Sequence, residues 1–115
     1  MSLSAPVFHI LLSLADGDRH GYAIIQEIAA RTDGEVRLTA STLYAAVKRL
    51  VDAEWIEERA TPPDGEKADP RRRYYRLTPL GREAARAEAA RLDALTDVAR
   101  AKGLLTRTRP AQGRA

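Results

Sequence analysis

Residues 41–59 read STLYAAVKRLVDAEWIEER, a stretch that opens as an amphipathic helix and closes as the start of a strand. Leu43, Val47, Leu50 and Val51 fall on one stripe at helical spacing, so that face packs inward. Ser41, Thr42, Tyr44, Ala45, Lys48 and Arg49 fall outside the stripe. No acid occurs from Val36 to Val51, yet Asp52, Glu54, Glu57 and Glu58 crowd just past the helix end. A helix laid in a DNA major groove meets a backbone carrying one negative charge per ~1.7 Å, so acids are excluded from its leading face and tolerated only behind it. The stretch therefore reads as a recognition helix.

Two further helices precede it. Ser4 and Pro6 start the first, and Val7, Ile10, Leu11 and Leu14 form its buried face to about Ala15. Asp16-Gly17-Asp18 is turn chemistry. In the second helix Tyr22, Ile25, Ile28 and Ala29 repeat the helical period until Gly34, which suits a left-handed cap. Thr39 or Ser41 caps the third.

After the third helix the period changes. WIEERA at 55–60 and RRRYYRL at 71–77 are short and rich in strand formers, and they flank a segment at 61–70 dense in proline and turn residues. Two antiparallel strands joined by a long loop are expected, with Tyr75 and Leu77 on the packed face and Arg72, Tyr74 and Arg76 on the wet one. Thr78 caps a fourth helix, which has Pro79 in its first turn and runs to about Lys102. About 24 helical residues span about 36 Å, more than so small a body can cover. Ala84, Ala87, Leu92, Leu95 and Val98 make a narrow stripe along it, and an unpaired apolar stripe implies a partner copy.

The order α-α-α-β-β-α, mainly helical with a small ribbon, is that of a winged helix-turn-helix. The expected division is a DNA-binding domain over 1–78, a dimerisation helix over 79–103 and a mobile basic tail over 104–115. The chain of 115 residues, 44% hydrophobic and 30% charged, has the size and make-up of one globular domain. Its formal charge of +3 is supplied by the tail, because Arg107, Arg109 and Arg114 lie in a final segment without acids. The body is neutral, so affinity for a polyanion must come from where charges sit. The absence of cysteine removes disulfides and thiolate metal sites and suits a reducing cytoplasm. The apolar run VFHILLSLA at 7–15 is too short to span a membrane.

The expected DNA contacts on the third helix are Thr39, Ser41, Thr42, Tyr44, Lys48 and Arg49. Tyr22, near the start of the second helix, either donates to a phosphate or packs against the first helix. Arg71, Arg72 and Arg73, where the loop re-enters the ribbon, form the wing contact. His9 and His20 lie in different elements without a cysteine, so neither a metal nor a cofactor site is expected, and His20 serves to begin the second helix. Trp55 reads as a strand-start anchor. No carboxylate pair, nucleophile with base or phosphate-cradling glycine loop points to an enzyme. A winged module that binds protein and not DNA is the alternative, because fold alone does not set function.

HGYAIIQEI at 20–28, STLYAAVKRL at 41–50, WIEER at 55–59 and RRYYRLTPLG at 72–81 resemble, in order, the motifs of the PadR family of bacterial transcriptional regulators. The resemblance implies a homodimeric winged-helix repressor of the short form with a single C-terminal helix. Twofold pairing through the fourth helix sets the two recognition helices about one DNA turn, ~34 Å, apart and implies a palindromic double-stranded DNA operator, and the resemblance further implies release by a small-molecule inducer held between the fourth helix and the partner's first helix. Phe8 is the one aromatic those two helices supply for such a ligand. The chain departs from the family pattern at Ser41 and Glu54, where glycine is usual. Glu54 is expected to move the end of the third helix about half a turn onward, since left-handed backbone costs a non-glycine residue about 1–2 kcal/mol.

Overall fold

The computed structural model describes residues 3–60 and 73–106. Among these, the elements are α1 (Ala5–Ser13), β1 (Arg19–His20), α2 (Gly21–Arg31), α3 (Ala40–Asp52), β2 (Ile56–Arg59), β3 (Tyr74–Leu77) and α4 (Pro79–Ala101). The three α-helices of the body pack around Ile10, Leu11, Leu14, Ile24, Ile28, Leu43, Val47 and Leu50, all buried. Ile56, Tyr75 and Leu77 close this core from the sheet side. The arrangement is a winged helix with α4 appended.

Local chemistry sets the helix ends. Ser4 Oγ accepts from the Val7 amide at 3.3 Å, Thr39 Oγ1 from the Thr42 amide at 3.1 Å and Thr78 Oγ1 from the Gly81 amide at 3.0 Å. Each satisfies a first-turn donor that the helix itself leaves open. His20 begins α2 in the same way, its Nδ1 accepting from the Ala23 amide at 3.1 Å. α1 stops at Ser13, short of the expected Ala15. Ser13 is fully buried, and its polar atoms are met by two arginines: Arg19 Nε donates to its carbonyl at 2.7 Å and Arg31 to its hydroxyl at 3.1 Å. Both arginines also pair with Glu27, which ties α1 to α2.

Three expectations need correction. The ribbon is a three-stranded sheet of order β1-β3-β2, with Arg19 opposite Tyr75 and His20 opposite Tyr74, so the element order is α-β-α-α-β-β-α. A two-residue strand has no periodicity to read. Tyr74 is fully buried and not on a wet face, and the ring of His20, its cross-strand partner on β1, meets it edge-on at 6.0 Å between centroids. The inward residues of α2 are Gly21, Ile24 and Ile28, while Tyr22 is 62% exposed.

A further correction concerns Glu54. α3 ends where a glycine would end it, with Glu54 itself at φ +65°. The Glu54 amide donates to the Val51 carbonyl at 2.9 Å and the Trp55 amide to the Leu50 carbonyl at 3.0 Å. This is the paired bonding of a left-handed helix terminus. Thr78 Oγ1 then donates to the Glu54 carbonyl at 2.6 Å, and the Thr78 amide to the Trp55 carbonyl at 3.0 Å. α4 starts against that strand end. A Cβ at Gly81 would lie 1.9 Å from the Trp55 carbonyl oxygen, so glycine is required there for space. The 23 residues of α4 extend about 34 Å, one residue short of the expected end, and bury only Gly81 and Glu88.

Candidate nucleic-acid interface

The outer face of α3 carries Ser41, Thr42, Tyr44, Ala45, Lys48 and Arg49, all exposed, with Thr39 at its cap. Thr39 Oγ1 is engaged with both the amide and the hydroxyl of Thr42, which orients the pair at the leading turn. Tyr44 is 45% exposed, and its ring lies on the start of α2: a Cβ at Gly21 would come within 2.4 Å of its hydroxyl oxygen. The glycine of the HGY motif is thus the seat of the tyrosine of the STLY motif. Neither motif shows that pairing alone, and Gly21 was absent from the sequence-derived site. Tyr22 projects beside this seat. Its exposure removes the packing alternative and leaves its hydroxyl available.

A groove of about 330 Å³ separates the last turns of α3 from the sheet, lined by Tyr44, Val47, Lys48, Val51, Asp52, Glu58 and Tyr75. Lys48 Nζ stands 3.9 Å from Asp52 across one helical turn, and the guanidinium of Arg73 is paired with Glu58. Burial, with Tyr44 and Glu58 nearby, pushes the Tyr75 phenol up to about 12, so it is neutral. Arg71, Arg72 and the loop at 61–72 lie outside the described residues. On α4, Ala84 and Leu92 are half-buried while Ala87, Leu95 and Val98 are exposed.

Among the described residues no three His, Asp or Glu side chains converge on a point that a metal ion would occupy. No described helix is long and apolar enough to cross a membrane.

A family model for PadR-like transcriptional regulators matches residues 10–87. The chain belongs to the PadR-like family. The match runs from the second half of α1 into the first half of α4. A transcriptional regulator from Clostridium thermocellum is 32% identical, with a TM-score of 0.66 over 80% of this chain and 86% of that one. A PadR family transcription regulator from Clostridium difficile R20291 shares the fold, with a TM-score of 0.70 at 24% identity over 84% of this chain and 96% of that one. An uncharacterised protein of Lysinibacillus sphaericus is 42% identical over 74 residues, 64% of this chain and 64% of that relative. The match therefore spans just under two thirds of that relative's length. The family is one of transcriptional regulators.

Proposed function

We propose that this PadR-like regulator is a homodimeric repressor that binds a palindromic operator in double-stranded DNA. The carrying observation is the outer face of α3, which presents Ser41, Thr42, Tyr44, Lys48 and Arg49 on one exposed surface and carries an acid, Asp52, only at the helix end. Thr39 and Tyr22 flank that surface, and Arg71, Arg72 and Arg73 supply the wing contact to an adjacent phosphate run. Residues 1–78 are the DNA-binding domain in this reading. Residues 79–103 are the dimerisation helix, pairing through Ala84, Ala87, Leu92, Leu95 and Val98. Twofold pairing sets the two recognition helices about one DNA turn, ~34 Å, apart.

An inducer fits the groove of about 350 Å³ between α1 and α4, lined by Phe8, His9, Arg91 and Leu92 among others. Occupying it would shift α4 against the body and so change the spacing of the recognition helices.

The test begins with selection of bound duplexes from a random pool, followed by salt titration on the selected site. Affinity should fall steeply with salt, and the double substitution Lys48→Ala and Arg49→Ala should flatten the log–log slope by about two while sedimentation shows an unchanged dimer. Unchanged affinity would remove α3 from the reading role. A selected pool with no common sequence would point instead to a winged module for protein partners.

A further inference from the structure

A second groove, of about 510 Å³, lies between the end of α3, β2 and the start of α4 and shares Val51 and Glu58 with the first. Val51, Pro79 and Leu80 supply apolar lining, and Leu80 is 52% exposed. Glu54, Glu57 and Glu58 line it as acids, and Glu58 is taken by Arg73. Glu54 makes no ion pair among the described residues, and Glu57 reaches only Arg59, at 3.4 Å. Glu54 stands in a backbone conformation that glycine adopts without cost, so its side chain is retained against a local preference.

The complementary chemistry lies at the far end of α4. Leu104 is 76% exposed and Leu105 47%, and they are followed in sequence by Arg107 and Arg109. Two bare leucines and two arginines match a bare apolar floor with Glu54 and Glu57 at its edge beside the Glu58–Arg73 pair. The segment cannot serve its own groove. The Leu104 amide donates a hydrogen bond to the Ala99 carbonyl at 2.9 Å, which holds Leu104 at the helix end, and the rise from Leu80 to Ala99 is about 29 Å. Arg107 adds only about 10 Å of chain beyond Leu104. The match must be made between copies.

We infer that this groove receives the 104–109 segment of a second copy, its leucines seated over Val51 and Leu80 and its arginines on Glu54 and Glu57. The inference rests on the homodimer proposed above and assigns that dimer an antiparallel crossing of the two α4 helices near Leu92. Such a crossing places each Leu104 beside the partner's start of α4. The contact is made twice by symmetry, so it closes the dimer and leaves no free copy of either surface.

The chain contains no cysteine, so introduced thiols report the contact cleanly. The full chain carrying both Leu80→Cys and Leu104→Cys should form a covalent dimer under mild oxidation, whereas neither single variant should. Replacing Arg107 and Arg109 by Glu should weaken self-association by about fourfold or more, the lower end for four exposed ion pairs, two in each symmetry-related contact. Adding Glu54→Arg and Glu57→Arg should restore it. A double-cysteine variant that stays uncross-linked while sedimentation shows a dimer overturns the docking but not the homodimer. A monomer by sedimentation overturns both, and leaves DNA recognition by α3 to its own test.

Discussion

Glu54 occupies left-handed backbone at φ +65°, the conformation that lets its own amide and that of Trp55 make the two hydrogen bonds of the helix terminus. The steric conflict between its Cβ and the carbonyl oxygen is the same for any L-residue and amounts to about 1 kcal/mol or more. Glu54→Gly should therefore raise stability by about 0.5–1 kcal/mol, because part of the gain is offset by the greater freedom of glycine in the unfolded chain. A urea midpoint shifted upward with an unchanged slope would confirm it. A loss of stability would show that the Glu54 side chain holds the fold together. Gly21 and Gly81 are constrained for the opposite reason, since each is needed for the space that Tyr44 or the Trp55 carbonyl fills.

At the level of elements, the third helix and the sheet each present a cation together with an acid that occupies it. Lys48 faces Asp52, and Arg73 faces Glu58, across the groove that separates α3 from β2 and β3. Both pairs are exposed, so each is weak and open to exchange with a phosphate. Glu58 is then an intramolecular competitor for the wing arginine. Glu58→Gln should raise affinity for non-specific duplex DNA and steepen the log–log salt dependence by about one, as one more phosphate is neutralised. Fluorescence anisotropy across a salt series measures both; a slope equal to the parent's would take Arg73 out of the wing contact.

On the scale of the whole molecule, Glu88 anchors the N-terminal segment to α4. It is 3% exposed, accepts from both Arg91 Nε at 3.0 Å and Arg91 Nη2 at 2.6 Å, and also from the Leu3 amide at 3.3 Å. The Arg91 hydrogen bonds, outweighing burial, hold its carboxyl below the ordinary range of 4.5. Its contribution is therefore complete above that range and is lost as pH falls through the depressed value. His9 acts in the same sense from higher pH: burial and then Arg31 lower its imidazole below 6.5, so the unfolded chain takes up the proton first as pH drops. Acid should destabilise the fold in two stages, and Glu88→Gln should flatten the lower one while leaving the upper. Thermal melts from pH 7 to pH 3 resolve the two, and an unaltered lower limb in that variant would assign it to other carboxylates.

The helices, their caps at Thr39 and Thr78 and the acid-free run from Val36 to Val51 are legible in the linear chain, because each depends on residues within a turn or two of one another. The family motifs likewise read directly, since their spacing is set by those same local elements. Proximity across the fold is another matter. That β1 exists, that Tyr74 is buried by it, that Gly21 seats Tyr44 and that Arg73 is held by Glu58 all follow from strands and helices meeting at long sequence separation. Hydrophobic pattern specifies which face turns inward, but only the packed arrangement decides which residue that face will find there.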